Sequence, residues 1–264
     1  AVILGDSETY CGYIPLELWR TYGITTYVCG TTQQKMYYTC DFLRKTFETQ
    51  NPKVVFLETN AFFRDYGYAQ IMTNALEDEL PIFRYHDRWK TIRTQDLTED
   101  VEYTNIERDK GYYYYAQADP ADTHGYMQEN SEKISIPKKN LRYIREMQKY
   151  CEENDARLVL ISTPSTKNWN YKKHNSVEEL AKELNVEYID LNLESDRVAI
   201  DWNTDTRDKG DHLNYSGALK VTDYVGNYLK ESKLFEDKRE NPDYADWNTQ
   251  LAAFDQYRAE QQKQ

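Results

Sequence analysis

The sequence predicts a doubly wound α/β fold built on a parallel sheet of five strands. Short runs of apolar and β-branched residues alternate with segments whose apolar residues recur at helical spacing, and this order repeats five times. Polar or glycine-containing turns follow the strand-like runs. Because ligands bind outside the carboxyl ends of the strands in such sheets, we expect the functional residues in those turns.

The first half of the chain supplies three of the predicted strands. Residues 2–4 are a short buried strand, and 14–22 have the apolar spacing of a helix. Residues 24–30 are β-branched and aromatic and end at a glycine, which indicates a second strand. We expect the next helix to begin at an N-cap, Thr31, and to end near Phe47. The continuous apolar run within 53–60 is typical of a third strand buried on both faces.

The second half begins with a different kind of segment. Residues 61–135 are rich in Tyr, Asp and Arg and have few periodic apolar runs, so we interpret them as an inserted lid or cap within one domain, 1–264. A polar tail with a late helix is expected at 236–264. Between these segments the α/β order resumes, with predicted helices at 137–154, 176–184 and 214–229 and predicted strands at 157–164 and 186–191.

The composition excludes several functional classes. The net charge of −12 argues against sequence-independent binding to nucleic acid or to anionic lipid. The sequence has no apolar stretch of ~18 residues, the length that spans a membrane. The four cysteines form neither a CxxC motif nor a Cys/His cluster, so we expect no structural zinc site.

The predicted strand ends carry the residue types of a nucleophilic site. Ser7 lies on a tight turn after the first strand, where its hydroxyl can attack a carbonyl carbon. His212 can accept the proton of Ser7 and return it to a leaving group, with an aspartate holding its tautomer. Gly30 offers an unshielded backbone N–H and Asn60 a side-chain amide, and both can stabilise an oxyanion.

These blocks resemble the SGNH (GDSL-like) hydrolase superfamily, which is named for a Ser, a Gly, an Asn and a His in four separate blocks. GDS at Ser7, VCG at Gly30, ETN at Asn60 and DHLNYSGA at His212 occur in the order of the family. Glu58 replaces the usual glycine two residues before the Asn. The resemblance implies a flavodoxin-like three-layer α/β/α fold, serine acyl transfer, and no need for a metal or cofactor.

The third member of the catalytic triad is the position at which this sequence departs from the family pattern. The family usually has an Asp three residues before the His, a position that Lys209 occupies here. Asp208 lies four residues before His212 and Asp211 one before. Either carboxylate can orient the imidazole if the loop is reshaped. We slightly prefer Asp211 and keep Asp208 as the alternative.

A narrower resemblance rests on softer motifs. The phrases YHDRWK (85–90), KGY (110–112), PSTKNWNYKKHN (164–175) and GDHLNYSGALKVT (210–222) are similar to an extracytoplasmic SGNH branch of Gram-positive bacteria. That branch looks similar to the D-alanine transfer protein of teichoic acid synthesis and to alginate acetylation proteins. It implies a membrane-bound O-acyltransferase partner, and we expect an N-terminal membrane helix to have preceded residue 1.

The leading functional hypothesis is therefore a serine-dependent O-acyltransferase, with acetyl as the expected group and a cell-surface glycan or teichoic-type polymer as acceptor. A carbohydrate esterase with the same triad is the first alternative, and a non-catalytic glycan-binding module is the second. The run Tyr112–Tyr115 is either a sugar-stacking surface or a packed lid edge. Further candidate substrate-binding residues are His86, Arg88, Trp169 and His174.

Overall fold

The computed structural model describes residues 1–67, 109–194 and 196–262. The chain divides into two compact units. The first unit consists of Ala1–Arg64 and Arg108–Gln264 and contains the sheet. The second unit, Asp65–Glu107, falls almost entirely outside the described residues. The assignment of 61–135 as a lid therefore stays a prediction.

A parallel five-stranded sheet forms the centre of the first unit, in the order β2-β1-β3-β4-β5. Its register aligns Gly5 with Gly30 and Leu57 with Leu160. This order confirms the predicted doubly wound topology, because the chain starts in the middle of the sheet and proceeds to both edges. The strands are β1 (Val2–Gly5), β2 (Tyr27–Gly30), β3 (Val54–Glu58), β4 (Arg157–Ser162) and β5 (Glu187–Asp190).

Helices cover both faces of the sheet and make the fold three-layered. In the described ranges, no helix is both long and apolar enough to cross a membrane. A two-stranded antiparallel hairpin, β6 (Thr206–Arg207) with β7 (His212–Leu213), lies between β5 and the next helix. The helices are α1 (Ser7–Gly12), α2 (Pro15–Tyr22), α3 (Met36–Thr49), α4 (Lys138–Glu153), α5 (Tyr171–Leu184), α6 (Tyr215–Glu231) and α7 (Ala245–Gln261).

Alternate side chains of each strand enter different cores, because successive strand residues point to opposite faces. On β1, Leu4 joins the core formed with α3, α4 and α5, whereas Ile3 joins the core formed with α2 and α6. On β3, Leu57 and Phe56 divide in the same way. This two-sided burial explains the continuous apolar runs in the sequence.

The start of α3 differs from the prediction. We expected the helix to begin at Thr31, but it begins at Met36. Gln33 has a φ of 53°, a left-handed conformation that no helix can continue through. The Thr31 hydroxyl instead donates to the side chain of Gln34 at 3.1 Å. The intervening residues form a turn that follows the end of β2.

The C-terminal helix α7 packs on α2 through both apolar and charged contacts. Phe254 is fully buried in a small core with Ile14 and Leu16. Arg258 pairs with the carboxylate of Glu17 at 3.2 Å. The polar tail of the sequence therefore ends in a helix that is attached to the body of the fold.

Candidate active site

Ser7 lies at the first turn after β1, where Asp6 rather than Ser7 caps the helix. The Asp6 carboxylate accepts a hydrogen bond from the backbone N–H of Glu8 at 3.0 Å. Ser7 is the first residue of α1 and is 7 % exposed. Among the described residues, none forms a hydrogen bond with its hydroxyl. Because the capping is done by Asp6, the Ser7 hydroxyl is available for chemistry.

His212 is presented by the β6–β7 hairpin, in which it pairs with Arg207. Three consecutive residues of the connecting loop have left-handed backbones: Asp208 (φ 59°), Lys209 (φ 57°) and Gly210 (φ 87°). Two of these residues are not glycine, and such conformations cost free energy that the surroundings must offset. This turn carries the Asp208 carboxylate back towards the imidazole.

The hairpin is held in place by the loop after β4. The Ser165 hydroxyl lies within hydrogen-bond distance of the carbonyl oxygens of Gly210, at 3.1 Å, and Asp211, at 2.8 Å. The Lys167 ammonium also donates to the carbonyl of Asp208. These contacts fix the backbone of the strained turn, so the position of the imidazole does not depend on the turn alone.

The geometry favours Asp208 over Asp211 as the partner of the imidazole. Asp208 Oδ2 lies 2.9 Å from His212 Nδ1, whereas Asp211 Oδ1 lies 4.0 Å away. Our preference for Asp211 does not agree with these distances. With the Nδ1 hydrogen donated to Asp208, Nε2 becomes the proton acceptor of the ring. Nε2 is buried and has no hydrogen-bond partner among the described residues, so this nitrogen can accept a proton.

Asn168 connects the β6–β7 hairpin, which carries His212, to α1, which carries Ser7. Its amide nitrogen lies 2.7 Å from Glu8 Oε1 and 2.5 Å from Asp211 Oδ1, so it can donate one hydrogen to each. Ligand atoms of Glu8, Asp211 and His212 lie within 4.8 Å of one another. These atoms have the spacing of a cation site, but an acid–base arrangement accounts for them equally well. Asp211 thus has a structural partner of its own.

Asn60 is oriented by charged groups on both sides of its amide. Its nitrogen donates to Asp6 Oδ2 at 3.2 Å, and its oxygen accepts from the Lys173 ammonium at 3.1 Å. Since an ammonium can only donate, the amide oxygen must face Lys173. The amide nitrogen therefore faces the Asp6–Ser7 turn, and its second hydrogen is available for an oxyanion.

Asn60 is a candidate oxyanion donor, so we expect Asn60→Ala to lower kcat by about 10²–10³-fold through loss of a group that would act on charge developing in the transition state. The change in KM should be smaller, and steady-state turnover of an aryl acetate measures both constants. Asn227→Ala, at an exposed position near the C-terminal end of α6, is the matched control. An Asn60→Ala enzyme with unchanged kcat would remove this side chain from the oxyanion hole.

Gly30 ends β2 beside the Asp6–Ser7 turn. A Cβ at this position would lie 2.3 Å from Thr9 Oγ1 and 2.8 Å from the Asp6 carbonyl oxygen. Both distances are far below van der Waals contact, so a side chain here would displace the first turn of α1. The glycine is required by close packing, and its backbone lies next to the turn that carries Ser7.

Three buried carboxyl groups surround this turn: Asp6, Glu8 and Glu58, each at most 1 % exposed. Arg64 forms an ion pair with Asp6, and Lys173 approaches from α5. Burial, followed by the charge of Asp6, raises the pKa of both Glu8 and Glu58 well above the usual range. Burial likewise lowers the pKa of Lys173. Glu8 Oε2, which has no partner among the described residues, is the natural position for a retained proton.

Glu8→Gln should make stability less dependent on pH. The raised pKa means that the folded protein keeps a proton that the unfolded chain releases. The contribution of this proton to the stability of the fold is complete below the ordinary pKa of Glu. It is lost as the pH rises through the folded-state pKa. In urea unfolding at pH 5, 7 and 8.5, the free energy of unfolding of Glu8→Gln relative to wild type should increase with pH, by at most about 1.4 kcal/mol per pH unit. If the free energy of unfolding had the same pH dependence in Glu8→Gln and in the exposed control Glu236→Gln, the retained proton on Glu8 would be contradicted.

The two described candidates for substrate binding share one carboxylate. The Trp169 indole donates to Asp190 Oδ2 at 3.0 Å, and His174 Nδ1 lies 2.8 Å from the same oxygen. Trp169 is 3 % exposed and packs against Phe63 at 6.1 Å between ring centroids. Trp169 is thus a packing residue here, while His174 also borders a surface groove with Glu178. Contact of either residue with substrate stays a prediction.

The candidate residues from the sequence and the residues of the described site overlap only in part. His86 and Arg88 lie outside the described residues. Conversely, Arg64, Asn168 and Lys173 contact the site, although the sequence did not identify them. Asn168 and Lys173 lie within segment 164–175, but the pattern of that segment assigned a role to neither residue.

No protein-family model matches the sequence, and no curated protein matches it. Solved structures of similar fold include the psychrotrophic esterase EstA from Pseudoalteromonas sp., at 12 % identity and TM-score 0.47 over 88 % of this chain and 96 % of that chain. A GDSL-like lipase from Bacteroides thetaiotaomicron has 12 % identity and TM-score 0.43 over 88 % and 87 %. An acetylxylan esterase from Geobacillus stearothermophilus has 12 % identity and TM-score 0.42 over 91 % and 96 %.

Proposed function

We propose that the chain is a serine-dependent acyl-transfer enzyme in which Ser7 is the nucleophile, His212 the general base and Asp208 the residue that orients the base. The observation that carries this proposal is the 2.9 Å contact of Asp208 with Nδ1, combined with the buried, unpartnered Nε2. A ring nitrogen of His212 lies within 4.8 Å of a carboxylate oxygen of Glu8, the residue after Ser7, and this proximity supports a shared site for base and nucleophile.

These positions support a two-step reaction. Ser7 Oγ attacks the acyl carbonyl carbon while Nε2 of His212 takes the hydroxyl proton. The Asn60 amide and the backbone N–H of Gly30 receive the oxyanion. The alcohol then leaves with the proton from Nε2, and an acyl-Ser7 ester remains. In the second half, Nε2 takes the proton of the acceptor hydroxyl as the acceptor oxygen attacks the ester carbonyl, and then returns that proton to Ser7 Oγ as the acyl–Oγ bond breaks.

The acceptor that we propose is a hydroxyl of a cell-surface glycan or teichoic-type polymer, with acetyl as the transferred group. The support is the resemblance of segments 85–90, 164–175 and 210–222 to the extracytoplasmic SGNH branch. On the same ground we propose an extracytoplasmic location and a membrane-bound O-acyltransferase as partner. The acidic charge of −12 agrees with a partner other than nucleic acid.

A carbohydrate esterase is the second candidate, and one observation favours it. The Asp208 side chain is 44 % exposed, so solvent reaches the edge of the site beside the base. Water can then replace a sugar hydroxyl as acceptor, since the two reactions share every earlier step.

The partition of the acyl group distinguishes the two candidates. The wild-type protein is incubated with an aryl acetate in the presence and absence of an oligosaccharide, and both free acetate and acetylated sugar are quantified. The transferase predicts that acetyl appears on the sugar faster than free acetate appears. Dominant free acetate would favour the esterase, and no turnover of the ester under either condition would argue against both.

A further inference from the structure

Part of the tyrosine run is not needed by the core. Tyr112 and Tyr114 are buried, with their rings 6.2 and 6.4 Å from the ring of Phe254. The alternate residues differ: Tyr113 is 58 % exposed, and Tyr115 is half-buried beside it. The two rings lie 4.9 Å apart with 34° between their planes. Packing explains the first pair but leaves the second pair at the surface.

Tyr10 extends this surface onto the nucleophile helix, and we call Tyr10, Tyr113 and Tyr115 the tyrosine rim. The backbone N–H of Tyr113 donates to the carbonyl of Tyr10 at 2.8 Å. Their rings meet edge to face with centroids 6.4 Å apart. Tyr10 lies on α1, three residues after Ser7, so the rim starts within one helical turn of the nucleophile.

The tyrosine rim also contacts the turn after β2 and the β6–β7 hairpin. The Tyr10 hydroxyl lies 3.1 Å from the hydroxyl of Thr32, two residues after the end of β2. The guanidinium of Arg207 stacks on Tyr115 at 3.3 Å from the ring centroid. Arg207 Nε in turn lies 3.6 Å from Asp208 Oδ2. One aromatic surface therefore contacts α1, which carries Ser7, the turn that follows β2, and the β6–β7 hairpin, which carries His212.

We propose that the tyrosine rim binds one pyranose ring of the glycan whose hydroxyl exchanges an acyl group with Ser7, an inference that rests on the proposed function. A pyranose has an apolar C–H face and a periphery of hydroxyls. Tyrosine rings offer the matching flat face with polar tips. The exposed Thr32 adds a hydroxyl at the edge of that face, and Arg207, stacked on Tyr115, fixes the orientation of that ring. A fatty acyl chain would instead fit an enclosed apolar channel.

Binding to a protein that cannot turn over its ligand tests this subsite. Titration calorimetry measures the affinity of Ser7→Ala for hexasaccharides of xylose, mannose and N-acetylglucosamine. We expect at least one to bind, and adding Tyr113→Ala to weaken that Kd by about tenfold, or 1.4 kcal/mol. Tyr113→Phe should keep most of the affinity because it retains the ring face. Tyr143→Ala, on α4, is the matched control and should leave Kd unchanged.

The outcomes separate the subsite from the proposed function. If no hexasaccharide binds, or if Tyr113→Ala binds as tightly as its parent, the subsite is overturned even when wild type hydrolyses an aryl acetate. If Tyr113→Ala weakens binding while wild type turns over no ester, the subsite stands and the proposed enzyme falls. Equal losses with Tyr113→Ala and Tyr143→Ala would indicate general destabilisation and would also overturn the proposal.

Discussion

Ser7→Ala should lower turnover of an aryl acetate by at least about 10⁴-fold, because the missing Oγ is the atom that bonds to the acyl carbon. Intact-mass spectrometry after incubation with an activated acetyl ester should show one added acetyl group on wild type and none on the variant. Stability should change little, since Asp6 provides the helix cap and no described residue bonds to the Ser7 hydroxyl. The experiment thus removes the chemistry without removing the fold.

Non-specific acylation is the main rival explanation for a mass adduct. Ser232→Ala removes a hydroxyl that donates to the Leu229 carbonyl and accepts from the Leu234 N–H after the end of α6, and this control should still gain the acetyl group. Peptide mapping should locate the adduct within the segment that contains Ser7. An adduct that persists in Ser7→Ala, or turnover that survives the change, would mean that another residue is the nucleophile.

The fold was predictable because its information is local. Continuous apolar runs such as 54–57 indicate strands buried on both faces, and the polar turns after them locate the edge of the sheet that binds ligands. Ser7, Gly30 and Asn60 accordingly lie where the strand pattern places them, after β1, at the end of β2 and after β3. Backbone detail was harder: the left-handed Gln33 delays α3, and nothing in the residue type signals it.

The supporting residues of the site were not predictable because their contacts cross the chain. Asn168 reaches Glu8 across 160 positions, and Lys173 reaches Asn60 across 113. Only the winding of the sheet brings these side chains together, so no local spacing reports them. The buried carboxyls are a related case, since the sequence shows acidic residues but not that Glu58 would be enclosed. Sequence therefore indicates the reacting groups better than the groups that orient them.

Asp208→Asn should lower kcat by about 10²–10⁴-fold, whereas Asp211→Asn should cost less than about tenfold. Among the described residues, only the Asp208 carboxylate accepts the Nδ1 hydrogen, at 2.9 Å. An amide there can present N–H to the ring and favour the tautomer that cannot accept the Ser7 proton. Asp211 accepts from Asn168 instead, so its loss loosens the hairpin without reversing the tautomer.

The pair is informative because each variant controls for the other. Both substitutions remove one negative charge from the same four-residue loop, so a general electrostatic effect on His212 would lower both rates alike. The expected difference corresponds to roughly 1.4–5.4 kcal/mol in activation free energy, at about 1.4 kcal/mol per tenfold. Measuring kcat and KM for an aryl acetate with each variant decides the matter. A larger loss with Asp211→Asn would show that the hairpin rearranges when substrate binds and would restore Asp211 as the orienting residue.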